Sequence, residues 1–420
     1  MPCGGPRPRE LRPVLTPDRV RAFMTTHSDL QQRIAIMAVF AAFGSAIGTI
    51  AGAMPVVLSN AGVGSFAFGV GLTLSTLLTV TIMSLGGTIA RFTSNRTVLL
   101  WSLPAFAALV SVLLVSPSPG WFFTAFLLVG IVFGFTDLFM NAEAAAVEHD
   151  LGRPVFTAFH GCVSLAVAGF AILQSYVAVK TGVQVAALPM IVMFGLAWWM
   201  VHLFIAPRQL ARGRAARMFA LPNKLPLTLL GVAAGLIIAG ETAALMWSAK
   251  LLDELAPSLA AIAGLGAAFF GICNAAVRFP GDRLRARFGD LPLMVVSLVI
   301  AICGFLVLGV SGNFAVSAVA FAAVGLGTAV LIPCIFALAA RFVPANRAGG
   351  LGFVSLLAGV PRTLAPWVFG WVAADLGIGA AFLLVGLAQV AALGLVLVMM
   401  RLKWPAQPSP GPSRTVSVLL

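Results

Sequence analysis

The sequence predicts an all-α membrane protein of twelve transmembrane helices, arranged as two six-helix halves. Three observations carry that prediction. Hydrophobic residues make up 60% of the 420 residues and charged residues only 9%, against about 25% charged in a soluble protein. Apolar runs long enough to cross a bilayer recur twelve times, and all but three Lys and Arg fall in the tails or in alternate connections between them. The mean hydropathy is +1.04. An ordinary soluble core cannot hide that much apolar surface, so the solvent is lipid.

The twelve runs fall near 34–58, 66–90, 97–116, 121–147, 155–178, 184–206, 225–249, 256–279, 291–311, 314–340, 350–373 and 378–401. Each has the roughly 20 apolar residues that a crossing helix needs. With the N-terminus in the cytoplasm, the tails and even-numbered connections hold every Lys and Arg except Lys180, Lys250 and Arg362. This is the positive-inside pattern; it places both termini in the cytoplasm. It also accounts for the formal charge of +13 without nucleic acid, and anionic headgroups can reinforce the basic loops. The first 33 residues carry six Arg and five Pro with no apolar core, so they read as a cytosolic tail and not a secretory signal. Of the five Cys, Cys162, Cys273, Cys303 and Cys334 lie in apolar runs and none forms a CxxC pair; they read as small buried hydrophobes.

The longest polar stretch between spans, 207–224, divides the chain. The expected organisation is a tail at 1–33, a six-helix bundle at 34–206, a cytoplasmic loop at 207–224, a second bundle at 225–401 and a tail at 402–420. The halves echo each other at an offset of about 195 residues: Val129-Gly130 answers Val324-Gly325, and Gly86–Arg96 (GGTIARFTSNR) answers Gly281–Leu291 (GDRLRARFGDL). Duplicated halves are a transporter architecture with the site between them at mid-membrane.

The 6+6 spans, the basic central loop and the GDRLRARFG turn resemble the major facilitator superfamily. Its loop signature is matched in the C-terminal half by Arg278, Gly281, Asp282, Arg283, Arg287 and Gly289. In the N-terminal copy Arg91 stands where the signature has an acid, which departs from an acid-dependent gating contact there. Within the superfamily, Asp137–Gly161 (DLFMNAEAAAVEHDLGRPVFTAFHG) is similar to the block D-x-x-M-N…V-E…G-R-P…F-H-G of YbjJ-type inner-membrane transporters, as are Glu241 and Trp247 in span seven. The resemblance implies the major facilitator fold, alternating access, the inner membrane, and a cavity lined by spans one, four, seven and ten. Span four lacks the outer-half Arg, and span five the Gly-Pro pair, that drug antiporters of the superfamily carry.

Charge at bilayer depth costs about 2.5–3.5 kcal/mol on insertion scales, so the few polar residues inside spans are informative. At 3.6 residues per turn, Asp137, Asn141 and Glu148 share one face of span four, and Glu143 points about 120° away from Asp137. Antiparallel spans four and five put Asn141 and His160 at similar depth, so Asn141, His160 and Asp137 can meet. Asp137 and Asn141 read as a proton or substrate site, with His160 as a relay; the alternative is a structural network between helices. In the second half Ile332 and Phe336 occupy the places of Asp137 and Asn141, so the acid is not a relic of duplication. Glu241, placed in the outer half of span seven, Trp247 further out, Asn274 in span eight and Arg362 in span eleven complete the set. Glu241 reads as a site for a cationic or hydroxylated substrate or for a proton; the alternative is an ion pair with a buried Arg, for which Arg362 is the candidate. Glu148, His149, Asp150 and Arg153 form either a cytoplasmic gate or a hydrated cap. Arg91, Gly281, Asp282, Arg283 and Arg287 are the expected gating residues of the loops. The GxxxG series Gly44, Gly48, Gly52 predicts close helix packing.

No GxSxG, HExxH or P-loop sequence occurs, so the driving energy is an ion gradient. The reading is a secondary transporter, not an enzyme, with no cofactor and no metal. Its expected partners are a small solute, protons and the bilayer, and the chain is read as a monomer. Two rivals stand beside it. A polytopic membrane enzyme would use Asp137, His160 and Glu241 in acid–base work. A copper importer would use Met140, His160 and Cys162 as soft ligands.

Overall fold

The computed structural model describes residues 17–89, 92–151, 155–207, 224–343 and 346–402. Most of both tails and of the central loop, together with Arg91 and Arg153, lie outside the described residues. Among those described, regular structure is entirely helical. Twelve helical spans have membrane-crossing length: Leu30–Ala61, Ser65–Gly86, Asn95–Leu114, Pro119–Asp150, Phe156–Thr181, Val183–Phe204, Leu225–Leu255, Pro257–Arg278, Asp290–Val310, Phe314–Phe342, Gly349–Leu376 and Ile378–Met400. Twelve crossings leave the first and last spans starting and ending on the face from which span seven departs. That face is the tail side; the opposite one is the far side.

Two of the expected helices are not continuous. Span eight opens with a 3-10 turn, Pro257–Ile262, before the α-helix Leu265–Arg278. Span ten, expected as one helix, is two: Phe314–Thr328 and Leu331–Phe342. The cause is in the sequence. Pro333 has no N–H and its ring crowds the carbonyl four residues back, which is that of Ala329. The helix therefore breaks at Ala329–Val330.

Within the first half, spans one and five pack closely. A methyl group on Gly44, Gly48 or Gly52 would run into the carbonyl oxygens of Val163, Val167 and Ala171. The GxxxG expectation is met in the form of a backbone-to-backbone seam. The halves meet through span five on span eight, span two on span eleven, and span one on span seven. Side chains such as Val192, Trp199, Val310 and Leu387 are exposed around the bundle, as lipid-facing residues are.

Candidate functional site

Asp137, Glu241 and Arg362 each stand within about two residues of the middle of their helices, Pro119–Leu151, Leu225–Leu255 and Arg347–Leu376. Glu241 is thus near the middle of its helix.

In the first half the sequence reading brings the right residues together. Asn141 Nδ2 donates to Asp137 Oδ1 and to the Asp137 carbonyl, both at 2.8 Å. The carboxylate thereby orients the amide, leaving Asn141 Oδ1 to face His160 Nε2 at 3.1 Å. With Oδ1 as acceptor, His160 is the donor and carries its proton on Nε2. The imidazole is held edge-on to Phe40, with ring centroids 5.2 Å apart, and against Phe156 at 5.0 Å. Four residues separate Asp137 from Asn141, so one turn of helix aligns them. The antiparallel hairpin then supplies His160.

The second half departs from expectation. Glu241 pairs with Arg278, not Arg362: Arg278 Nη2 lies 3.6 Å from Glu241 Oε1. Arg278 is the last residue of span eight, and the sequence reading counted it as a loop base. Its guanidinium instead turns back into the membrane, where the break in span ten has freed a carbonyl. Arg278 Nε donates to that Ala329 oxygen at 3.4 Å, and Nη1 donates to Ser164 Oγ of span five at 3.2 Å. Ser164 in turn donates to Asn274 Oδ1 at 3.2 Å. One guanidinium therefore serves a carboxylate, the open backbone of a broken helix and a hydroxyl of the other half. Open backbone at membrane depth persists only with such partners. Arg362 instead lines the cavity between the halves.

Between the halves lies a cavity of about 180 Å³. Its walls come from spans one, two, four, seven and eleven, including Ser75, Thr79, Phe133, Thr242 and Arg362. Spans two and eleven thus take a share expected of span ten. Phe133 is one turn from Asp137 on the same face of span four, which places the Asp137–Asn141–His160 row at the edge of this space.

Trp247, expected at the substrate site, does not line this cavity. It is fully buried, between Phe68 of span two and Phe369 of span eleven, each 4.6 Å away between ring centroids. This stack joins the halves on the far side of the cavity. Nearby, Gly69 and Gly370 cross so closely that a methyl on either would strike the facing backbone.

On the tail side Glu148 is bonded to the backbone of the next helix. Glu148 Oε2 accepts from the N–H groups of Val155 and Phe156 at 2.8 and 2.7 Å. It caps the positive end of the next helix, which compensates its own position at a helix C-terminus. Glu143 is buried, with 1% of its surface exposed, and accepts from Asn95 Nδ2 of span three at 2.9 Å. Asp282 accepts from Thr157 Oγ1 of span five at 3.2 Å and from Arg285 Nη1 at 3.0 Å, so the signature acid reaches the other half. Arg285 Nε also donates to buried Asp290 at 2.8 Å, which Arg341 holds from span ten. Burial pulls the Arg285 guanidinium down, but its hydrogen bond to Asp290 and the charge of that carboxylate outweigh this and shift it upward. Arg283 and Arg287 are exposed, Gly281 is buried, and Arg287 lies over the Phe288 ring at 5.4 Å.

Among solved structures, the nucleoside transporter NupG superposes with a TM-score of 0.66 at 17% identity, covering 90% of this chain and 100% of its own. The E. coli fucose:proton symporter FucP superposes at 0.54 with 15% identity, over 88% and 99%. This is the major facilitator fold. The model of the Major Facilitator Superfamily matches residues 227–419. An uncharacterized transporter, y4wD, of Sinorhizobium fredii (strain NBRC 101917 / NGR234) is 29% identical over 365 residues, 84% of this chain and 95% of that one. The chain is thus similar to transporters of that superfamily in fold and, over residues 227–419, in sequence.

Proposed function

We propose that the protein is a secondary transporter of a small solute, working by alternating access and coupled to protons through Asp137, Asn141 and His160. The observation that carries this is the hydrogen-bonded row near the middle of span four, with an acid at one end and an imidazole at the other, beside a cavity that Arg362 of the opposite half lines. Each change of charge on Asp137 alters its attraction to the other half, which is what coupling requires. The NupG and FucP likenesses favour transport, and FucP is described as a proton symporter. The finer kinship to YbjJ-type transporters, the inner-membrane setting and the cytoplasmic termini belong to the same proposal.

The second half supports a holding role: Arg278 ties span ten to span five, and Glu241 neutralises it. Trp247, Phe68 and Phe369 seal the far side, and the Thr157–Asp282 contact closes part of the tail side. The copper reading is disfavoured by geometry. His160 directs Nε2 to Asn141, and Cys162, two residues on, is about 200° around the helix.

The test is accumulation in proteoliposomes under an imposed pH gradient. Solute should accumulate against its own gradient, and a protonophore should abolish this. Turnover of a compound by the detergent-solubilised protein, where no gradient exists, would instead establish the enzyme.

A further inference from the structure

Resting on the proton reading above, we propose that the solute is a small hydroxylated carboxylate whose carboxyl group binds Arg362 on the cavity wall. The cavity volume, about 180 Å³, lies below the roughly 300–1,000 Å³ of sites for drug-sized ligands, so the solute is small. Among the described wall residues Arg362 alone is charged. Its planar fork of donors matches a carboxylate.

The hydroxyls fix the rest of the chemistry. Ser75 Oγ donates to the Phe126 carbonyl at 3.1 Å, Thr79 Oγ1 to that of Gly130 at 2.8 Å, and Thr242 Oγ1 to that of Ile238 at 2.9 Å. A hydroxyl has one proton and two acceptor sites, so these three can offer the cavity only acceptors, while Thr76, the fourth hydroxyl of the wall, can also donate. A ligand that satisfies the wall brings donors of its own, such as O–H groups, besides the anion for Arg362. An ammonium would supply donors but meet the Arg362 charge. A simple inorganic anion would leave the hydroxyl acceptors unpaired.

Charge balance couples the solute to the proton. The groups about Asp137 and the cavity are Arg362 from span eleven and His160 from span five, the latter through Asn141, with Arg278 on Ser164, one turn from His160. Glu143 on its own helix faces Asn95 of span three, and span two contributes the hydroxyls. With the cavity empty and Asp137 ionised, the Asp137–Arg362 couple is neutral. With Asp137 protonated and a carboxylate on Arg362, it is neutral again. A proton alone or a carboxylate alone leaves one net charge, which resists closure because an unpaired buried charge is costly. Solute and proton therefore cross together.

The experiment uses the full chain in detergent, with glycerate and gluconate as probes, glycerol and sorbitol as uncharged counterparts, and glucosamine as the cationic one. Affinity is read from thermal stabilisation at pH 5.5 and pH 8; the probe carboxylates are ionised at both. The carboxylates should bind wild-type protein at least about tenfold tighter at pH 5.5, the lower end expected of a charge-assisted hydrogen bond. Asp137→Asn should bind them equally at both pH values. Arg362→Gln should lose binding, and Arg362→Lys, a check against misfolding, should retain part of it. Equal or better binding of the uncharged or cationic compounds, or of no carboxylate at either pH, overturns the substrate class. If Asp137→Asn still shows the wild-type pH difference, the proton reading fails as well. Proton-driven transport that Asp137→Asn abolishes, with no carboxylate preference, sinks this inference alone.

Discussion

Neutralising Arg278 should be among the most damaging single changes, and removing its partner should repair much of the damage. In Arg278→Gln, Glu241 loses the only cation within 4 Å that the described residues give it. Removing one partner of a fully buried pair costs about 3–5 kcal/mol. Here the side chains keep 19% and 16% exposure, so about 2–4 kcal/mol is expected for the charge. The Ala329 carbonyl and Ser164 also lose a charged donor, though Gln can recover one of those bonds. Adding Glu241→Gln removes the stranded charge, so the double variant should be more stable than Arg278→Gln alone, with a coupling energy of about 2 kcal/mol or more. The assay is a double-mutant cycle by equilibrium unfolding in mixed detergents. The parallel cycle of Arg362→Gln with Glu241→Gln should be additive within about 0.5 kcal/mol. Coupling of Glu241 to Arg362 but not to Arg278 would refute the pairing and restore the candidate raised from sequence.

Further outcomes follow from the same geometry. Trp247→Ala empties a fully buried site and should cost about 3–5 kcal/mol; Trp247→Phe should cost less and keep the far side closed, as judged by labelling a cysteine placed at Thr76. Gly69→Ala should push spans two and eleven apart and raise labelling at that same cysteine from the far side. Glu148→Ala strands two N–H groups and should lower stability by about 1–3 kcal/mol, whereas Glu148→Gln keeps an acceptor and should lose under about 1 kcal/mol; neither should alter proton coupling in vesicles. The Arg285 shift is upward, so its contribution is present below its unfolded value and is lost only as pH rises through a still higher one. Arg285→Gln should therefore destabilise by the same amount at pH 5 and pH 9, measured by unfolding at each.

Much of this was legible in the chain. Lipid demands about 20 apolar residues per crossing, so the span count needs no tertiary information. The meeting of Asp137, Asn141 and His160 follows from one helical turn and one hairpin, both local. What was not legible depends on helices far apart in sequence. Arg278 looks like a loop base because span length says nothing of a long side chain turning back towards a broken helix. The break itself had a signal, since Pro333 removes the partner of the Ala329 carbonyl, and an apolar run of that length concealed it. Glu148 as a cap on span five depends on the fold of the 4–5 connection, which the dipole of span four alone does not reveal. Trp247 and Arg362 were placed in the right helices, but their neighbours come from span packing that no spacing rule encodes.

Proton coupling through Asp137 is tested most directly by comparing solute exchange with solute accumulation in one preparation of proteoliposomes. Asp137→Asn should exchange labelled for unlabelled solute at a rate near wild type, since its site is fixed in the protonated form. It should fail to accumulate solute under an imposed pH gradient. Accumulation at the wild-type level by Asp137→Asn would contradict the mechanism.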